Sequence, residues 1–431
     1  MKKIILPALA LLFVLNATAQ KTDKIIKEKT VRKIEKKLSA DNMEGRGTFT
    51  PGIDKAADFI AKEFKKAGLA PSEGNNGYFQ EFALVEATPT AVSGNIDGNA
   101  INGSAIVVLT TKATLTVNEQ SGYETGTIDA DDRLFNKAYA YITSGKNYIV
   151  WVDTTHEKSF ENLLRFKRES FKSDISTLFV LAGKVPAAYS FSARHTISEK
   201  KLKNVVGILP GKNQAGGRDE YVIFSAHYDH LGIGEANKNG DSIFNGANDD
   251  AAGTTAVIML SKYFSKIKNN ERTLVFAAFT AEEIGGFGSQ YFGKQFDPEK
   301  VMAMFNIEMI GTDSKWGKNS AYITGYEKTD MGKILEKNLE GTGFTFYPDP
   351  YPDQQLFYRS DNATLARLGV PAHTISTSKM DNEPFYHTQE DEIETLDLKN
   401  MTAIIKAIAL SSRTIINGAD TPSRVDTKQL R

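Results

Sequence analysis

The chain has no cysteine among its 431 residues. That excludes disulfides, thiolate metal ligands, cysteine nucleophiles and a lipid-modified cysteine. Any metal must then be held by His, Asp and Glu. An excess of charge is missing too, with 52 Lys and Arg against 53 Asp and Glu. Neither nucleic acid nor an anionic membrane surface is therefore an expected partner. No G-x-S-x-G occurs, which argues against a serine hydrolase of the nucleophile-elbow type. "GILPGK" is no phosphate loop, because only three residues separate its glycines.

Apolar residues make up 41% of the chain, ample for a large core, and the length allows more than one domain. The first residues read differently. Lys2 and Lys3 precede an apolar run over 4–15, followed by "NATAQ" with small residues at Ala17 and Ala19. This is the pattern of a signal peptide over 1–19, and the run is short for a membrane span. The expectation is an exported protein, periplasmic or extracellular, without a membrane anchor. Lacking disulfides, it must be stabilised by its core, by bound metal, or by both.

Residues 20–85 carry a helical stripe in "AADFIAKEFKKAGL", stopped at Gly68. From 86 to 202 the texture changes to short β-branched runs, such as "SAIVVLTTKATLTV" and "NYIVWV", separated by Gly, Asn and Asp clusters. A basic helical stretch near "ENLLRFKRESF" interrupts them. This segment reads as a smaller β-rich insert. Over 203–431 strands alternate with helices: "NVVGIL", "YVIFSA", "RTLVFAAF", "VMAMFNIEMI" and "PAHTIST" against "DAAGTTAVIMLSKYFSKI" and later helical stretches. The predicted fold class is α/β, a mixed, mostly parallel central sheet flanked by helices. Ligand sites in such sheets lie outside the strand ends.

The polar clusters fall at those ends. "YVIFSA" runs into His227 and Asp229, "FNGANDD" carries Asp249 before a helix, and "LVFAAFTA" runs into Glu282 and Glu283. "AMFNI" leads to Glu308, and "EPFYHTQEDE" carries His387 in a loop. Adjacent carboxylates at the end of a core strand repel each other and need a compensating charge. A pair of divalent cations meets that need. Two His, a shared Asp and two further carboxylates give each ion three or four N/O ligands with a position left open, as in catalytic zinc sites. Neighbouring side chains in extended chain point opposite ways, so one of the two glutamates can bind metal while the other faces a substrate water.

"AHYDHLG", "GANDDAAG", "TAEEIGGFGS", "NIEMIG" and "YHTQEDEIETLD" resemble, in order and context, the co-catalytic di-zinc peptidases, family M twenty-eight. That family includes secreted aminopeptidases, glutamate carboxypeptidases and glutaminyl cyclases. "LSADNMEGRGTFTPGIDKAADFIAKEFKKAGLAP" is similar to its N-terminal segment. The resemblance implies the zinc-peptidase fold, two zinc ions and a peptide substrate. It implies His227 and Glu308 as ligands of one zinc, Glu283 and His387 as ligands of the other, and Asp249 as the bridge. Glu282 then resembles the general base, Asp229 the carboxylate that orients the His227 ring, and Tyr386 a tyrosine near the tetrahedral intermediate. The Asp249–Asp250 bond is expected to be cis. Glu308 departs from the aspartate common among the aminopeptidases, which leaves metal binding intact but bears on which substrate end is recognised.

The remaining candidates read more plainly. His230 either lines the cleft or is an ordinary surface or capping histidine. His156 and His195 fall in the insert, and His373 reads as a satisfied core residue. Asp361 in "FYRSDNATLARLG" is expected to cap the following helix. Arg359 is a candidate for a substrate carboxylate. The function expected is an exported zinc exopeptidase, an aminopeptidase first. The alternatives are a carboxypeptidase or dipeptidase of the same family, a one-zinc glutaminyl cyclase, and a non-catalytic binding protein.

Overall fold

The structure, a computed structural model, describes residues 21–166, 169–212 and 219–431. The leader read over 1–19 lies outside the described residues. The chain forms two compact units. One comprises the chain up to Glu81 and Leu202–Arg431, and the other is Phe82–Lys201. The strands Phe79–Ile96 and Tyr189–Leu209 carry the chain from one to the other.

The larger unit is a sheet between helices. Its strands are β1 (Tyr189–Leu209, through its C-terminal part), β2 (Tyr221–His227), β3 (Thr273–Phe279), β4 (Val301–Ile307), β5 (Ser320–Ile323), β6 (Thr345–Pro348) and β7 (Ala372–Ser376). Their order is β6-β5-β7-β4-β2-β3-β1. The centre is parallel: β2 pairs with β3 on one side and β4 on the other, and β4 with β7. β1 and β5 run antiparallel to their central neighbours. Every residue of β3 is buried, as a strand covered on both faces must be.

Helices α1 (Glu28–Leu38), α2 (Pro51–Ala67), α3 (Ala252–Ile267), α4 (Met331–Leu339) and α5 (Leu398–Ser411) pack on this sheet. α2 places Ile53, Ala57, Ile60, Ala61 and Phe64 inward at helical spacing and stops at Gly68, whose φ of 83° suits only a residue without Cβ. α3 is buried along nearly its whole length and therefore lacks a polar stripe. Beneath it Phe224, Phe276 and Phe305, one from each central strand, stack with ring centroids 5.6 and 4.9 Å apart. These adjacent parallel strands end at one edge, and their registered ends set His227 beside Phe279.

The smaller unit holds a sheet of Ile106–Leu109, Thr177–Leu181, Tyr148–Val152 and Glu124–Ile128 in that order. Tyr148–Val152 pairs in parallel with both neighbours, and parallel pairing needs crossover connections. The helix Leu134–Ile142 forms one of them. The sequence reading has no element there. The stretch near "ENLLRFKRESF" forms only a short helical turn at Glu157–Phe160 followed by a tighter one at Glu161–Phe166. Among the described residues of both units, no helix is long and apolar enough to cross a membrane.

Candidate active site

Each central strand ends in a backbone feature that turns a polar side chain outward. After β2, Tyr228 N–H donates to Phe279 O at 2.8 Å, keeping the chain against β3 through His227. After β3, Ala281 takes a left-handed φ of 57°, and the following turn closes with Gly285 and Gly286 N–H on Glu282 O. After β4, Glu308 N–H bonds Ile375 O on β7, and Met309 turns with φ 52°. The Asp249–Asp250 bond is cis. Two glycines allow this loop to close. A Cβ on Gly246 would lie 2.3 Å from Asp249 O, and one on Gly253 2.1 Å from Ile307 O.

These turns bring His227, Asp249 and Glu283 together, with His387 beside Asp249 and Glu283. His227 Nε2 is 3.2 Å from Asp249 Oδ1, and His387 Nε2 is 3.3 Å from both Asp249 Oδ2 and Glu283 Oε2. One ligand atom from each of His227, Asp249 and Glu283 lies within 4.8 Å of the others. His227, Asp249 and Glu283 are nearly closed to solvent, whereas the His387 side chain is 36% exposed, so the group opens on the His387 side. Glu308 flanks it, close enough that its carboxyl feels the charge of His227 and Asp249. Tyr386 stacks on the His387 ring with centroids 3.9 Å apart.

Glu282 is placed through its main chain. The Asp229 carboxylate accepts the amides of Glu282 and Glu283 at 3.1 and 3.2 Å, and Thr48 Oγ1 donates to the same carboxylate. Here the structure departs from the expectation for Asp229. The His227 ring is held at Nδ1 by the main-chain oxygen of Asp229 at 3.2 Å, while its carboxylate stands 3.8 Å away. The carboxylate has turned to the two amides, each of which would otherwise be unpaired at a buried strand end.

Asp361 does not cap the helix Asn362–Ala366. Its own φ and ψ of −57° and −25° are helical, whereas a capping residue is extended so that its side chain can curl back to the first amides. The carboxyl is buried on the site side, and burial raises it to about 6.

Three residues outside the expected set hold the group. His230 Nδ1 lies 2.7 Å from Glu283 Oε1. The buried Asp391 carboxylate accepts the amides of Asn248 and Asp249 at 2.8 and 3.0 Å. Arg46, fully buried, donates to the carbonyls of Tyr228, Leu38, Asn245, Gly246 and Asp249. His230 and Asp391 have a signal in the sequence, each standing three or four residues beyond a strand-end or loop histidine. Arg46 has none beyond its polar turn.

The charges ask for a cation. Burial pushes the Glu282 carboxyl well above its usual range, and the neighbouring Glu308, Asp361 and Glu283 add to the rise. Burial likewise raises Glu308 to about 7. Burial alone would lower the two histidines, yet the carboxylates win at His227 and draw a proton onto it. At His387 the bonds to Asp249 and Glu283 raise the ring to about 10. Imidazoles carrying protons for a crowd of carboxylates are what a divalent ion displaces on binding. His227 Nε2 and Glu308 Oε2 are buried atoms without a hydrogen-bond partner, although His227 Nε2 stands within 3.2 Å of Asp249. Buried polar atoms left unpaired beside such a group fit ligation of a metal.

Comparison with known proteins agrees with this geometry. Residues 204–411 match the model for peptidase family M28. A probable leucine aminopeptidase of Trichophyton verrucosum is 27% identical over 208 residues, covering 46% of this chain and 53% of that protein. Aminopeptidase YwaD of Bacillus subtilis is 24% identical over 208 residues, 46% of this chain and 41% of its own. The chain thus spans about half the length of the curated relatives it matches. Among solved structures, an aminopeptidase from Aneurinibacillus superposes with TM-score 0.55 at 15% identity, covering 92% of this chain and 95% of that one. A zinc aminopeptidase from Bacillus subtilis gives 0.54 at 16%, covering 93% and 98%. The mixed, mostly parallel sheet flanked by helices is the fold they share. Over residues 204–411, just under half of its length, the chain is similar to peptidase family M28.

Proposed function

We propose that the protein is a zinc-dependent exopeptidase, an aminopeptidase that removes residues from a free amino terminus. The observation that carries this reading is the grouping of His227, Asp249 and Glu283 with His387 against the last two, and Glu282 fixed beside them by the Asp229 carboxylate. Two zinc ions are the proposed occupants, His227 and Glu308 serving one, Glu283 and His387 the other, and Asp249 both. When bound, zinc supplies an acidified water and an electrophile for the scissile carbonyl. The relatives' names, leucine aminopeptidase and zinc aminopeptidase, support the same class.

The chain's own groups do the rest. Glu282 takes the proton of the attacking water and returns it to the leaving amine; burial first, and the neighbouring carboxylates after it, raise its basicity for the first step. Asp229 keeps Glu282 and Glu283 pointing apart by gripping both amides. His230 steadies Glu283, and Arg46 with Asp391 steadies the main chain of Asp249; partners of this kind fix ligand orientation. Tyr386, stacked on His387, is the candidate to donate its hydroxyl to the reacting carbonyl.

Glu282→Gln keeps the shape and removes the base. On zinc-loaded protein, kcat for an amino-terminal dipeptide should fall about 10²- to 10⁴-fold, with metal content unchanged. Wild-type turnover by this variant contradicts the role of Glu282. Cleavage of N-acetylated but not free-amine peptides contradicts the aminopeptidase assignment.

A further inference from the structure

Beside Glu308 and Tyr386 lies a cavity whose charge the proposed reaction does not use. Its volume is about 50 Å³. The floor comes from buried residues in or just beyond β5 and β7, including Tyr322, Thr324, Thr374 and Ser376. Most hydroxyls around it are already engaged. Tyr322 donates to Ser378 O, Thr374 donates to Asn362 Oδ1, and Ser360 Oγ accepts from Asn306 Nδ2. The cation on its wall is Arg359. Among the described residues its guanidinium pairs with no carboxylate, and its bonded neighbour is the neutral Gln354 Oε1 at 3.3 Å. Arg359 is exposed and lines the same pocket as Glu308, where it offers a planar, two-pronged donor.

Resting on the hydrolase reading above, we infer that Arg359 is a specificity-determining residue. It selects substrates whose residue at the attacked carbonyl carries an acidic side chain, aspartate or glutamate. The cavity shares Glu308 and Tyr386 with the reacting group, so it is within one side chain's reach of the carbonyl. Its floor is made of buried strand residues, which suits a side chain that terminates there. The leaving segment of a peptide of any length needs an open exit instead.

The test uses zinc-loaded full-length protein and C-terminally amidated dipeptides X-Ala, with X as Asp, Glu, Leu, Lys or Phe. Amidation leaves X as the source of any carboxylate. Wild type should give kcat/KM for Glu or Asp at least ten-fold above Leu. Arg359→Gln should cut the Glu-to-Leu ratio at least ten-fold, and Arg359→Glu should shift preference toward Lys. Unchanged ratios in folded variants, or an acidic preference that appears only with a free C-terminal carboxylate, overturn the inference while leaving the hydrolase reading standing. Failure to cleave any of the peptides, amidated or free, overturns both.

Discussion

Buried beneath the sheet edge, His373 satisfies both ring nitrogens. Nδ1 donates to Thr324 O at 2.8 Å, and Nε2 accepts from Thr329 Oγ1 at 2.8 Å. Acceptance at Nε2 requires the neutral ring, and burial lowers its pKa to about 4 against the opposing pull of the Thr324 bond. The unfolded chain takes a proton near the ordinary value of about 6.5, so between these values the unfolded state binds more protons. Stability contributed by the neutral ring is therefore complete above pH 6.5 and is lost as pH falls toward 4. The difference amounts to about 3 kcal/mol. In urea titrations at a series of pH values, wild type should lose about that much more than His373→Gln between pH 7 and 4. Parallel pH profiles would contradict the assignment.

At the scale of elements, the polar turn Asp41–Arg46 acts as a clamp on the loop that carries Asp249. Arg46 reaches carbonyls from Leu38, Tyr228 and three residues of 245–249. Lysine has the same charge but three donors on one atom, so it leaves buried carbonyls unpaired. Arg46→Lys should cost about 3–5 kcal/mol of stability, the range for breaking a buried charge network. It should also weaken metal affinity about 10- to 100-fold, as loss of a ligand-orienting partner does. Equilibrium denaturation and metal titration of the same variant check both parts.

This clamp also marks the limit of what the sequence makes legible. The strand-end histidines and carboxylates stand out because an apolar run that stops abruptly at charged residues has few structural reasons to do so. Arg46 does not stand out, because its acceptors lie up to 203 positions away along the chain. Asp361 misleads because Ser-Asp-Asn before an apolar run imitates a cap, and only its φ and ψ distinguish the two. Leu134–Ile142 hides its helix in β-like aromatic residues, and β5 and β6, four residues each, are too short for alternation to register. Local pattern carries the long central elements. Partners distant in sequence decide the remainder.

At the scale of the whole molecule, the edge of the sheet gathers Asp229, Asp249, Asp250, Glu282, Glu283, Glu308 and Asp361 where three central strands end. Bound cations would offset the charge of such a crowd, because isolated buried charge is costly. A ligand that binds the folded chain alone raises stability in proportion to RT ln(1 + [L]/Kd), about 4 kcal/mol at a thousand-fold excess over Kd.

The most direct measurement is zinc per chain by elemental analysis after equilibrium dialysis, with the melting temperature recorded on the same samples. Wild type should hold two zinc ions and melt several degrees higher than its chelated form, and His387→Ala should retain one. A wild-type protein that binds no zinc, or whose melting is indifferent to chelation, would contradict the account at its centre.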